Sequence, residues 1–206
     1  MIQEVGVDPG QAINAHLSEF YSGGVYAGTY QITVDGVLTN AYCIEFLQFS
    51  SSSPRGYDLT DLPNDLKYME AAWIMQQYDP NKASTSVDNL VNAQVAIWEI
   101  LSADAGSLRY GDVYFSTWSG DGSREGAQAI VDEVLGLYEQ GYFDDFDTSG
   151  FKLAHNQSFQ DYILKPGSNG DTQDNPVPEP STVFLLGGGL IAFLGMGKNL
   201  IKKRPL

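Results

Sequence analysis

From Tyr21 to Phe49 the chain is aromatic and β-branched and carries no long apolar run, the pattern of strands with one buried face. Tyr21–Tyr30 and Gln31–Val34 read as strand, Asp35-Gly36 as a two-residue hairpin turn, and Val37–Phe49 as the returning strand. Within that return Tyr42, Ile44 and Phe46 fall on one face and Cys43, Glu45 and Leu47 on the other. Residues 50–63, rich in Ser, Pro and Asp, read as loop. The period then changes to that of helices. Asn64–Tyr78 places Leu66, Met69, Trp73 and Gln76 or Gln77 along one side, with Pro80 beyond to stop it. Asp88–Leu101 offers Ser86 or Asp88 as N-cap, and Ser123–Gln140 aligns Ala127, Ile130, Val131, Val134 and Tyr138 ahead of Gly141. Phe151–Leu153 and Tyr162–Leu164 read as closing strands. No internal repeat is present. The expected fold class is α+β: an antiparallel β core over roughly residues 10–166, barrel- or sandwich-like, with about three helices packed on it.

Composition narrows the chemistry. The 206 residues are 43% hydrophobic, enough for one sizeable core, with a formal charge of −15. Such an acidic chain is a poor nucleic-acid partner, because that binding is largely neutralisation of phosphate by Lys and Arg. A single cysteine, Cys43, excludes an internal disulfide, a CxxC redox pair and a multi-cysteine zinc site, and two histidines exclude a histidine-rich centre. Asp145-x-Asp147-x-Ser149-Gly150 echoes the start of a calcium loop, but its twelfth position is Asn156 where a bidentate Glu is needed, so a solvated acidic turn is expected. No metal and no cofactor is expected.

The last thirty residues differ in kind. All 26 acidic side chains precede residue 181, and four of the 11 bases (Lys198, Lys202, Lys203, Arg204) follow it with no acid. Residues 167–176 read as a polar linker. Ser181–Gly197 is uncharged and, at 17 residues, at the short end for a membrane-spanning helix. The basic end predicts a cytoplasmic C-terminus with the remainder outside, whereas a buried core helix rarely ends in such a cluster. Pro178-Glu179-Pro180, the Gly-rich apolar stretch and the basic tail with Lys202, Lys203 and Arg204 together resemble the PEP-CTERM sorting signal of Gram-negative bacteria, here residues 177–206. The resemblance implies an exosortase as processing partner, contact with the membrane through residues 181–197 until then, and a destination at the cell surface or in an extracellular, biofilm-type matrix. An export signal is expected with it, and Met1–Gly10 is neither basic nor apolar enough to be one, so the natural start is expected upstream.

Two residues in the domain stand out. Gln94 lies on the helical face of Leu90, Ile97, Trp98 and Leu101, where an unbonded carboxamide costs roughly 1–3 kcal/mol. Alone it reads as a core glutamine bonded to backbone, and Cys43 alone reads as an inert, buried small hydrophobe. Together Tyr42-Cys43-Ile44-Glu45 and Ala93-Gln94-Val95-Ala96-Ile97-Trp98 resemble the two motifs of bacterial thioester domains of surface adhesins, strand first and helix about fifty residues later. Ala93 is smaller than the usual apolar residue there. The resemblance extends loosely over residues 5–165, which makes 1–166 the expected thioester-type domain, and implies an internal thioester between Cys43 and Gln94, with Tyr42 and Trp98 walling the site, Ile44 and Ile97 completing the motifs and Glu45 as a proton carrier or a plain surface carboxylate. It implies covalent capture of an amine or hydroxyl on a surface target, once per molecule and without turnover. The rival class is a non-covalent structural protein of the exopolysaccharide matrix in which Cys43 and Gln94 are merely packed. A Cys-His hydrolase using His155 is a distant third, since no flanking signature supports it.

Overall fold

The computed structural model describes residues 2–17, 21–45, 48, 53, 55–102, 106–111 and 113–166. The chain divides into Met1–Gly170 and Asp171–Leu206, and the fold below concerns the first of these. Seven strands and three α-helices follow in the order β1 (Ile2–Leu17), β2 (Tyr21–Val34), β3 (Val37–Cys43), β4 (Asp58–Asp61), α1 (Leu66–Gln77), α2 (Val87–Leu101), β5 (Val113–Phe115), α3 (Arg124–Glu139), β6 (Lys152–His155) and β7 (Tyr162–Leu164), with a 3₁₀ turn over Tyr142–Asp145. The strands form one antiparallel sheet of order β4-β6-β7-β3-β2-β1-β5. The α+β class with an antiparallel core and three helices is therefore observed. The order ends at β4 and β5, and an isolated antiparallel bridge between Ile2 of β1 and Arg55, just ahead of β4, links β1 to the segment that leads into the far end of the sheet.

Local chemistry explains most boundaries. Asp35 and Gly36 both take positive φ, 52° and 84°, closing the β2–β3 hairpin with Val34 opposite Val37. Ser86 and Ser123 cap α2 and α3 by accepting from the backbone N–H of Asn89 and Gly126, and Asp65 caps α1 through Lys67. Three strands fall outside the sequence-based expectation. β1 brings residues 2–10, expected to precede the domain, into the sheet, and β5 is only three residues long. β4 lies in the expected 50–63 loop and is exposed at every position, so no alternation betrays it. The strand expected to run to Phe49 ends at Cys43, and Phe46, Leu47 and Phe49 lie outside the described residues.

Helix α2 is the centre of the molecule. Every residue from Leu90 to Ile100 is buried, so it has two apolar faces rather than the single one expected. Val91, Val95 and Trp98 join the sheet-side core with Ile13, Ala15, Ile32, Cys43, Phe115 and Tyr162. Ala93, Ala96, Ile97 and Ile100 pack with α1 and α3 and with Tyr42 and Ile163. Tyr42 and Cys43, adjacent on β3, thus serve opposite sides of the strand. The helix wedged between both cores carries Gln94.

Candidate functional site

β3 brings Cys43 to its last position, and α2 brings Gln94 against it. Both residues are 0% exposed. The Cys43 backbone N–H donates to Gln94 Oε1 at 2.9 Å, and Gln94 Nε2 donates to the Cys43 carbonyl oxygen at 2.7 Å. The sheet explains why these groups face the carboxamide. Ile44 N–H donates to Asp161 O on the β7 side, so by strand alternation the N–H and C=O of Cys43 face the other way, toward β2. Pairing of β2 with β3 ends at Tyr30 and Ala41, one step short. The Gln94 carboxamide continues the ladder where β2 leaves it. The thiol itself turns toward the chain ahead: Sγ donates to Glu45 O at 3.0 Å.

The remaining motif residues divide between the two cores. Trp98 lies on the Cys43 side and stacks on Phe115, with ring centres 6.2 Å apart and 10° between planes. Tyr42 points the opposite way, and its hydroxyl donates to Tyr78 O at 2.6 Å, tying β3 to the end of α1. Burial, reinforced by Asp79 and Tyr78, raises its hydroxyl well above the ordinary range. Ile97 packs in the helical core, on the same side as Ile44. Glu45 accepts from Gln48 Nε2 at 2.9 Å. His155, at the end of β6, is paired with Asp161: its Nδ1 is 2.7 Å from Asp161 Oδ2, and that contact, with the Asp161 charge, raises its pKa.

Where β3 ends, the surface opens into a cleft of about 290 Å³ lined by Ile44, Glu45, Asp65, Lys67, Tyr68, Leu101 and Asp161. Burial and then the carboxylates of Asp161, Asp65 and Glu45 raise the Tyr68 hydroxyl. Lys67 is drawn to the end of α2, its ammonium donating to Ser102 O. Sequence reasoning reached Ile44 and Glu45 but not Asp65, Lys67, Tyr68 or Asp161. Those come from the start of α1 and the approach to β7, and no local pattern marks them. The calcium-like stretch is a turn: Asp147 Oδ1 accepts the Ser149 N–H at 2.8 Å, and Asp145 ends the 3₁₀ turn. Among the described residues no cluster of three His, Cys, Asp or Glu is placed to hold a metal.

Comparison with known proteins bears on the other end of the chain. A model of the PEP-CTERM protein-sorting motif matches residues 176–198. No curated protein and no solved structure matches the chain. The matched signal implies an exported Gram-negative surface protein, transiently anchored in the membrane and processed by an exosortase. Pro178, Glu179, Pro180, Lys202, Lys203, Arg204 and the expected span 181–197 lie outside the described residues. Among the described residues no helix is long and apolar enough to cross a membrane.

Proposed function

We propose that this exported protein captures its target covalently through an internal thioester between Cys43 and Gln94. The observation that carries the reading is the seating of the Gln94 carboxamide on the backbone of Cys43, in a fully buried junction of strand and helix. In that arrangement the Cys43 N–H polarises the very carbonyl its own sulfur would attack, the role of an oxyanion donor. Sγ adds to Cδ of Gln94, the Cδ–Nε2 bond breaks, and ammonia leaves with the thiol proton. A thioester is the better acyl donor. An amine or hydroxyl of a target attacks the same carbon, the C–S bond breaks, Cys43 recovers its thiol with the proton of the nucleophile, and Gln94 is left joined to the target. Burial shields the bond from water until then.

The intact mass of the freshly purified full chain tests this. It is expected to fall one ammonia below the calculated value, to return to the calculated value plus methylamine less ammonia after methylamine treatment, and to show neither change in Cys43→Ala. An unmodified mass in folded protein refutes covalent capture. A second reading then takes its place, favoured by the same two hydrogen bonds: they give both polar atoms of a packed glutamine a partner, as in a non-covalent structural protein of the extracellular matrix.

A further inference from the structure

Strand alternation sorts the β1–β2 hairpin cleanly. Ile13, Ala15, Val25 and Ala27 turn into the sheet-side core, while Ala12, Asn14, Ser22, Gly24 and Tyr26 turn out to solvent. Register then sets the outer residues in rows across β2, β1 and β5. Ser22, His16 and Tyr114 form one row, and Gly24 and Asn14 the next, with Ser116 donating its N–H to Asn14 O. Tyr26 and Ala12 form the third. Rows two residues apart stand roughly 7 Å from one another.

The rings in this field are held in place. His16 and Tyr114 stack with centres 4.5 Å apart and 6° between planes. His16 Nδ1 is 2.8 Å from Ser22 Oγ and Nε2 is 3.2 Å from Ser116 Oγ, so both ring nitrogens are engaged and the ring cannot turn freely. Tyr26, 48% exposed, lies over Gly10 of the neighbouring strand, where a Cβ would come within 2.7 Å of the ring. Between these aromatic ends Gly24 offers no side chain, and Asn14 stands exposed beside it.

We propose that this outer face of β2, β1 and β5 binds a neutral glycan. Its composition argues for that occupant. No Asp, Glu, Lys or Arg stands in the three rows, on a chain whose formal charge is −15. A polyanion is repelled by the chain as a whole, and a polycation finds no carboxylate here. A neutral oligosaccharide matches both features: its ring C–H faces cover the aromatic rings, and its hydroxyls bond to Asn14, Ser22 and Ser116. The face is separate from the Cys43–Gln94 junction and does not depend on it.

Native electrophoresis of the full chain, in a detergent without a sugar head group, through gels cast with xyloglucan, galactomannan, dextran or alginate tests the assignment. Retardation is expected in at least one of the three neutral gels and not in alginate. Tyr26→Ala and Tyr114→Ala are each expected to weaken it about tenfold, while Tyr138→Ala on α3 and Cys43→Ala leave it unchanged, circular dichroism confirming the fold of each variant. Retardation in none of the neutral gels, in alginate alone, or undiminished in the Tyr26→Ala/Tyr114→Ala double variant overturns the proposal. So does its loss in Cys43→Ala, which would assign the retention to the junction instead.

Discussion

At the scale of single residues, Cys43 and Gln94 contribute unequally to stability, and the inequality is measurable. In the non-covalent reading Gln94→Ala removes both hydrogen bonds to the buried backbone of Cys43, each worth about 1–3 kcal/mol. In the thioester reading, where Nε2 has already left, it removes the bond from the Cys43 N–H to Oε1 together with the cross-link, so a loss of several kcal/mol is expected in both. Cys43→Ala keeps those backbone bonds. If the side chain is only packed, its loss costs on the order of 1 kcal/mol. If it closes a thioester across the 51 positions to Gln94, the chain-entropy argument used for disulfides adds about 4 kcal/mol. Urea unfolding of Cys43→Ala, and of wild type before and after methylamine, is expected to give the larger figure in both comparisons. Glu70 on α1 provides a pH signature. Burial lifts its carboxyl to about 7, against the lowering effect of Lys67 and with a further rise from Asp65. Because the folded state holds this proton more tightly than the unfolded state, the group favours folding at acid pH and loses that contribution as pH rises from about 4.5 to about 7. Glu70→Gln is therefore expected to stabilise the protein by on the order of 2 kcal/mol at pH 8 and to change little at pH 4, as measured by thermal melts at the two pH values.

At the scale of elements, the departure of β2 from β3 creates the site, and Gly28 sits at that departure. It pairs with Gly10 of β1 where the register shifts, and a Cβ placed on it would lie 2.3 Å from Pro9 O, a backbone atom that cannot swing aside. Gly28→Ala is expected to cost at least 2 kcal/mol in denaturant unfolding, because the β1–β2 pair must move as a whole. Gly36→Ala, with open space around it but φ of +84°, is expected to cost about 1 kcal/mol from turn strain alone. This same region shows what a sequence can and cannot display. The helices, the cap of α2 at one of its two candidates, Ser86, and the Asp35-Gly36 hairpin were legible because each rests on local chemistry. The meeting of Cys43 with Gln94 was reachable through a resemblance of motifs, not through periodicity. β1 escaped because Gly6, Pro9 and Gly10 interrupt its alternation, and its pairing is supplied by β2. β4 escaped because an edge strand exposed throughout has no buried face to imprint a period. Asp161 and Lys67 reach the cleft only through tertiary packing, which leaves no mark on neighbouring positions.

At the scale of the whole chain, two regions of opposite charge serve two steps of one itinerary. The 26 acidic side chains all lie before residue 181, and the closing segment carries bases alone. The matched sorting motif at 176–198 spans the boundary between them. Basic residues beside an apolar stretch generally resist translocation, which is the physical ground for the expectation of a cytoplasmic C-terminus. The Pro-Glu-Pro segment carries two prolines, which lack a backbone N–H and disfavour a helix at that point of the sequence. Replacing Pro178, Glu179 and Pro180 together by Ala, in a Gram-negative host that carries an exosortase, is expected to stop processing: the full-length chain should accumulate in the membrane fraction, with the released, faster-migrating form lost on an immunoblot. Lys202→Ala/Lys203→Ala/Arg204→Ala is expected instead to weaken membrane retention before processing, because the stop to translocation is what those charges supply. If both variants are processed and released as wild type is, the segment has no sorting role in this chain. Processing kept intact in Cys43→Ala would show that sorting and the Cys43–Gln94 junction act independently.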